Sequence, residues 1–302
     1  MKAMERILKH HIIGCMHYRK GRSVDAKTFI LDMVHRHLEI PNSSARLLFV
    51  DFSSAFNTLQ PHILAGKLAS LFHLDDQMIL WILDFLTNRS QRVLVNNTLS
   101  DLLYTSTGTP QGCVLSPLLF ILYTDDCRSI QPDSYMVKYA DDTVLLSLHH
   151  GQVLQELVDW CDTACLELIV TKTKEMVVSF SNKQRALVTA ASTIIHGQPV
   201  ELVEEYKYLG TTFDHLLKFA SNTEDILRKC QQRLYLLRKL NSFGVRKDIL
   251  LTFYYSFIES IITFSIPCWF YSVSLQYRNR LQSTVKVCSR IIGLPLRNFT
   301  SQ

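Results

Sequence analysis

Apolar positions recur at helical spacing in residues 26–39, where Phe29, Met33, Val34 and Leu38 share one side and Pro41 follows. This predicts a helix that stops before the proline. The period then changes. Leu47-Leu48-Phe49-Val50-Asp51-Phe52 is an apolar run that suits a buried strand, with an acidic residue near its C-terminal end. Helical periodicity returns over 61–71 and 75–86, and 92–96 alternates like a strand. Residues 136–146 predict two short strands around a tight turn, with Asp141 and Asp142 at or beside it. A helix over 153–168, a strand over 176–180 and a hairpin spanning 192–212 complete the middle. From Thr223 onward the pattern is helical. Leu227, Cys230, Leu234 and Leu237 make one face, and Arg228, Lys229, Arg233 and Lys239 lie largely elsewhere.

Two stretches carry mixed signals. Gly108-Thr-Pro-Gln-Gly-Cys-Val-Leu-Ser-Pro joins a glycine-proline loop to a helix start, with Ser116 predicted as N-cap and Pro117 as the first helical residue. Residues 249–273 come closest to a membrane span, but Glu259 and Pro267 interrupt them. A lone carboxylate costs about 2.5 kcal/mol or more at a bilayer centre, so the expectation is a buried helix and no membrane.

Composition narrows the class. With 302 residues, 47% hydrophobic and 20% charged, the chain can fill a core, which excludes disorder and collagen-like repeats. No repeat or flexible linker divides it, so one composite fold is expected. The eight cysteines form no C-x-x-C pair, which argues against a zinc knuckle or a disulfide framework and for an intracellular, reducing compartment. The N-terminus has no apolar core of a secretory signal. The net charge of +5 is uneven: +5 over 1–46, −9 over 47–217, +6 over 218–247 and +3 over 248–302. An acidic middle between basic ends suits a polyanion held at its edges, with metal ions offsetting carboxylates at the centre.

Asp51 ends a buried-looking strand, and Asp141 and Asp142 sit at an apolar hairpin. If those elements pair side by side, the three acids converge at one end of a sheet and raise one another's pKa unless cations neutralise them. Oxygen-only ligands select Mg²⁺ or Mn²⁺. Two such ions about 3.5–4 Å apart would clamp the attacking and leaving oxygens of an in-line phosphoryl displacement.

Here the chain resembles a known family, the reverse transcriptases of non-LTR (LINE-type) retrotransposons. Leu48-Phe-Val-Asp-Phe-Ser-Ser-Ala-Phe-Asn-Thr is similar to the family's first catalytic motif, Gly108-Thr-Pro-Gln-Gly-Cys-Val-Leu-Ser-Pro to its template and nucleotide loop, and Tyr139-Ala-Asp-Asp to its central catalytic box. Lys172-Thr-Lys-Glu-Met and Tyr206-Lys-Tyr-Leu-Gly follow in order, resembling the lysine-bearing motif and the primer-grip hairpin. The resemblance implies an α+β right-hand polymerase with an antiparallel-sheet palm, truncated fingers and a helical thumb. It divides the chain into residual fingers at 1–46, a palm at 47–217 with a fingers insertion at about 60–105, and a thumb with C-terminal extension at 218–302.

The implied roles follow position by position. Asp51, Asp141 and Asp142, with the Phe52 carbonyl, match the ligands of two Mg²⁺ or Mn²⁺ ions; Lys172 matches the lysine that assists the departing pyrophosphate. Ala55 and Phe56 lie against the incoming nucleotide, and the Phe56 ring would exclude a 2′-hydroxyl. Gln111 and Gly112 match the loop beside nucleotide and template, and Arg22, with Arg19 and Lys20, would meet the triphosphate. Tyr208, Leu209 and Gly210 match the hairpin that steadies the primer end, while Arg228, Lys229, Arg233 and Lys239 would track duplex phosphates. RNA template, DNA primer and deoxynucleoside triphosphates are the implied partners, in the nucleus or the cytoplasm.

The chain also departs from the family's pattern. Cys15-Met-His-Tyr stands where a longer fingers segment is usual, and Ile169 replaces a common Asn three positions before Lys172, removing a side chain that could orient that loop. No endonuclease-like segment precedes the motifs and no Cys/His cluster follows, so the chain is expected not to nick a target itself. Two readings stay open: an RNA-directed DNA polymerase core, or a retrotransposon remnant that binds nucleic acid without polymerising. Phe56 and Tyr-Ala-Asp-Asp disfavour an RNA-dependent RNA polymerase.

Overall fold

The computed structural model describes residues 23–131, 133–147, 153–189 and 193–299. They belong to two compact units, the first within 45–175 and 191–201, the second within 23–44, 176–190 and 202–302. These units cut the chain elsewhere than at 46/47 and 217/218. Residues 23–44 and 202–217 go with the C-terminal helices.

In the first unit, strands β1 (Ala45–Val50), β2 (Ser134–Tyr139) and β3 (Asp142–Ser147) are consecutive antiparallel neighbours, with β3 between the other two. They belong to a five-stranded sheet that also includes β4 (Lys174–Val178) and β5 (Glu201–Leu202), and a unit boundary falls within each of these two strands. Leu47, Leu48, Phe49 and Val50 are all buried, so the run reads as a two-sided core strand rather than an alternating one. Helices Pro61–Ser70, Asp76–Leu86 and Ser116–Tyr123 pack Leu64, Leu68, Ile82, Leu86, Leu119 and Leu122 into one apolar cluster with Leu48 and Val50. Their starts are chemically marked. Pro61 sits in the first turn of its helix, and the Asp75 carboxylate accepts the Met78 N–H at 3.0 Å.

Two expectations change here. The strand expected over 92–96 is two short pieces, Arg89–Gln91 and Leu94–Val95, in nested hairpins, the first paired with Leu103–Thr105 and the second, inside it, with Thr98–Leu99. Asn96 and Asn97 both adopt positive φ, which turns the chain after Val95, and Val93, Leu94 and Val95 are all exposed, so the alternation marks no buried face. The hairpin expected over 192–212 is three elements. Ile194–Ile195 pairs with Gln198–Pro199 in the first unit, β5 follows, and a separate hairpin of Glu205–Tyr208 and Thr211–Asp214 belongs to the second.

The second unit opens with helix Ser23–Leu38, which buries Ile30, Leu31 and Val34. Helix Ala220–Ser242 buries Leu227, Cys230, Leu234 and Leu237, as its periodicity predicts, and helix Leu275–Ile292 contributes Leu281, Val285 and Cys288. Gly293 ends the latter in the left-handed region, its N–H donating to Ser289 O at 2.8 Å. The stretch expected as one buried helix is long and apolar enough over Lys247–Trp269 to cross a membrane by composition. It is neither continuous nor fully buried. A π-helical turn, Tyr254–Glu259, follows helix Lys247–Phe253, and Ser265 at φ 51° breaks the chain before Pro267. Tyr254, Ile258 and Ile262 are buried, whereas Tyr255, Phe257 and Phe264 are exposed.

Candidate active site

Register brings the three acids together. β1 and β3 pair with Val50 opposite Thr143, so one further residue sets Asp51 opposite Asp142. β2 and β3 pair with Tyr139 opposite Asp142, which leaves Ala140 and Asp141 as a two-residue turn. Ala140 holds φ 56° there, a conformation that usually goes to glycine and that a Cβ makes costly. Asp51 is half-buried, and Asp141 and Asp142 are exposed at the sheet end. Partial desolvation first, then the charges of Asp141 and Asp51, push the Asp142 carboxyl above the ordinary range.

No cation answers these carboxylates among the described residues, and none of the three forms an ion pair there. Among the described residues, no three His, Cys, Asp or Glu side chains are drawn into a closed ligand set. The donor set itself is oxygen-only and electrostatically unrelieved, which is what hard divalent cations select.

Beyond β1 the backbone pairing continues only as far as Phe52, before the chain turns at Ser53-Ser54. Phe52 bridges Leu168 in antiparallel fashion; the Ser53 N–H donates to Glu167 O at 2.8 Å and the Ile169 N–H to Asp51 O at 3.0 Å. Neither of these two bonds uses the Phe52 carbonyl. The Phe52 side chain is buried, so only its backbone is available to a ligand. Lys172 is exposed on the turn that follows Ile169. The Ile169 carbonyl accepts the N–H groups of Lys172 at 3.1 Å and Thr173 at 2.9 Å, and the Thr173 hydroxyl at 3.0 Å. These bonds hold the turn through the Ile169 backbone.

The loop after Thr107 is pinned at both ends. At its start, the Gly108 N–H donates to Leu59 O at 2.7 Å and the Thr109 N–H to Phe56 O at 2.7 Å. A Cβ on Gly108 would lie 2.5 Å from Asn57 Cα, and its φ is +69°, so only glycine fits this approach. At its end, the Ser116 hydroxyl donates to Pro110 O at 2.6 Å. That corrects the expected N-cap: Ser116 is the first helical residue, it makes no cap bond, and its side chain folds back on the loop. Gln111 and Gly112 are left exposed between the anchors, with open space beside Gly112. Phe56 is half-buried against Phe120, ring centroids 5.0 Å apart, whereas Ala55 is buried and offers no side-chain surface to a nucleotide.

Arg89 joins the site although its sequence context gives no hint of it. Its guanidinium donates to Leu86 O at 2.9 Å, to Gly108 O at 3.0 Å and to Thr107 O, tying the helix end to the loop start. Burial pulls its pKa down. The only one-dimensional signal is an arginine just after a helix end, which reads equally as a surface charge. Arg19, Lys20, Arg22 and the Cys15 segment lie outside the described residues.

The remaining candidates belong to the second unit. Tyr208 and Thr211 pair across a two-residue turn whose Leu209 and Gly210 have φ 45° and 80°, the primed geometry that matches strand twist. Tyr208 is buried with its ring against Phe213, so it braces the hairpin and does not present its ring outward. The four basic residues of helix Ala220–Ser242 do not form one stripe. At about 100° per residue, Arg228 and Lys239 fall on one side and Lys229 and Arg233 on another. Arg228 pairs with Asp225 at 2.7 Å, and Lys239 lies 5.6 Å from the Tyr235 ring. Lys229 and Arg233 line a groove of about 330 Å³ together with Lys207, Gly210 and Asn222.

Comparison with known proteins bears on the family and the fold. The profile of the family described as "Reverse transcriptase (RNA-dependent DNA polymerase)" matches residues 1–213, more than half of the chain. A second profile, "Alkylated DNA repair protein alkB homolog 8, N-terminal", matches only residues 219–260. Among curated relatives, the probable RNA-directed DNA polymerase from transposon BS of Drosophila melanogaster is 29% identical over 78% of this chain and 27% of its own length. The RNA-directed DNA polymerase from mobile element jockey of the same species is 26% identical over 97% of this chain and 34% of its own. The Pol polyprotein from retrotransposable element R2 of Popillia japonica is 25% identical over 76% and 39%. The chain thus spans between 27% and 39% of these relatives. Among solved structures, Candida tropicalis telomerase with a fragment of telomeric RNA has a TM-score of 0.52 at 13% identity, covering 96% of this chain and 51% of the other. Apo telomerase from that species has a TM-score of 0.50 at 12% identity, covering 96% and 54%. These likenesses concern the fold, which is the expected α+β right-hand polymerase.

Proposed function

The chain belongs to the reverse transcriptase family, and from that premise we propose that it is an RNA-directed DNA polymerase core, adding deoxynucleotides to a primer 3′-hydroxyl on an RNA template. The observation that carries this reading is the register that sets Asp51 opposite Asp142 with Asp141 in the adjoining turn. Asp51, Asp141, Asp142 and the Phe52 carbonyl would hold two Mg²⁺ or Mn²⁺ ions, which when bound supply the charge that activates the hydroxyl and steadies the pyrophosphate.

The chain's own residues would do the rest. Phe56, braced on Phe120, would stand where a ribose 2′-hydroxyl would project and so select deoxynucleotides. Gln111 and Gly112, exposed between two anchored loop ends, would lie against the nucleotide and its template base. Lys172, on the turn hooked to Asp51, would offset or protonate the departing pyrophosphate. The Leu209-Gly210 turn would hold the primer end, and Lys229 and Arg233, in the groove beside Gly210, would meet backbone phosphates.

The test is primer extension on poly(rA)·oligo(dT) with Mg²⁺ or Mn²⁺. Product is expected from the wild type and none from Asp141→Ala. Tight hybrid binding without any product would replace this reading by that of a nucleic-acid-binding remnant.

A further inference from the structure

Lys27 is fully buried in the second unit, and every hydrogen-bond acceptor around its ammonium is neutral. The group donates to the Leu209 carbonyl at 3.0 Å, to the Thr211 hydroxyl at 3.1 Å and to the Ser265 hydroxyl at 2.5 Å. Its three donors are thus matched by three acceptors. The face of the Phe264 ring covers it, with the nitrogen 4.6 Å from the centroid. Burial pulls the lysine's pKa down, the ordinary cost of a desolvated ammonium. A methionine would fill the same space without that cost, so the ammonium calls for a reason beyond packing.

The acceptors supply one. Leu209 and Thr211 flank Gly210 in the hairpin turn, and Leu209 sits at φ 45°, unfavourable for a bulky residue unless its surroundings hold it. Ser265, also left-handed at φ 51°, marks the break between two helices, and the neighbouring Phe264 ring stands 3.0 Å from where a Cβ of Gly210 would be. One ammonium therefore ties two strained backbone positions together and fixes the turn against the ring. We propose that Lys27 is a positioning residue for the primer terminus, holding the Leu209-Gly210 turn in the shape that receives a recessed 3′ end. This rests on the proposed function, in which that hairpin holds the primer.

The experiment compares two labelled RNA–DNA hybrids, one with a recessed primer 3′ end and one blunt, by fluorescence anisotropy with the full chain. Wild type is expected to favour the recessed hybrid. Lys27→Met, which removes all three hydrogen bonds, should bind it at least about tenfold more weakly, the factor that a single hydrogen bond to a charged group already carries, with blunt-hybrid affinity retained. Thr211→Val, which removes a single acceptor, should shift the same preference in the same direction and serves where Lys27→Met does not fold. Equal loss on both hybrids, or unchanged preference in Thr211→Val, overturns the assignment, and so does a wild type without any preference. A wild type that prefers the recessed end yet extends no primer counts against the polymerase reading alone.

Discussion

The backbone N–H of Ile169 donates to the carbonyl of Asp51 at 3.0 Å, so the turn that carries Lys172 hangs from the strand that carries the first carboxylate. The link needs no particular side chain. It uses the amide of Ile169 on one side and its carbonyl, which accepts from Lys172 and Thr173, on the other. Restoring Asn at this position should therefore change little: primer-extension kcat/KM of Ile169→Asn is expected within about twofold of wild type, less than one neutral hydrogen bond. Ile169→Pro removes the donor and should collapse kcat. A large gain from Ile169→Asn would show that the backbone does not suffice.

A second relationship concerns the loop bearing Gln111 and Gly112. Arg89 holds the carbonyls of Thr107 and Gly108 together with that of Leu86, and Gly108 rests on the Asn57 backbone. Gly108→Ala combines an atomic overlap with a left-handed φ, so a loss of at least about 1–3 kcal/mol in unfolding free energy is expected. Arg89→Lys keeps the charge but loses the fork that reaches three carbonyls. Its KM for dTTP should rise severalfold while the melting temperature moves little. An unchanged KM would detach Arg89 from nucleotide binding.

The parts of this fold that are legible in the sequence are those written as periodicity. Leu47 to Val50 and the face of Leu227, Cys230, Leu234 and Leu237 are buried as their patterns require. Asp51, Asp141 and Asp142 stand out because a carboxylate beside an apolar strand has no reason in packing. Residues whose role depends on distant backbone carbonyls leave no such trace. Arg89 counts as a polar position just past a helix end and Lys27 as one on a helix, and only the fold reveals that each gathers three acceptors. Ser116 shows the same limit. Its place before Pro117 predicts a cap, yet its hydroxyl serves the loop, a choice made by the position of Pro110 and not by local preference. The basic residues of helix Ala220–Ser242 look like one stripe when only their charges are counted, but the turn angle divides them.

Sugar selection offers a test at a single side chain. Phe56 is half-buried, with one flank on Phe120 and its carbonyl engaged by Thr109, so the ring is held from behind. Phe56→Ala should admit ribonucleotides, measured as rNTP against dNTP incorporation on the same primer, and the ratio should rise by at least about tenfold, the equivalent of roughly 1.4 kcal/mol in discrimination. Phe120→Ala should loosen the ring and raise the ratio less. Unchanged discrimination in Phe56→Ala would remove Phe56 from this role.

Thiol chemistry gives an independent check on the core. Among the described cysteines, Cys127, Cys161, Cys230, Cys268 and Cys288 are buried, Cys113 is half-buried and Cys165 is exposed. Burial pushes Cys127 and Cys230 up to about 11 and Cys288 up to about 12, and it raises Cys161 as well. At pH 8 a thiol of pKa about 11 is roughly one part in a thousand thiolate, the reactive form. Among the described cysteines, brief treatment of the native chain with iodoacetamide at pH 8 should therefore modify Cys165 first and Cys113 second, and leave the five buried thiols unmodified until denaturant is added. Peptide mass spectrometry reads the order. Cys113 follows Gly112 in the loop proposed to meet the nucleotide, so in a background with both Cys15→Ser and Cys165→Ser its alkylation should slow primer extension, and dTTP with hybrid should protect it. Early labelling of Cys161 or Cys230 would contradict the packing, and full activity after alkylation of Cys113 would place the nucleotide away from this loop.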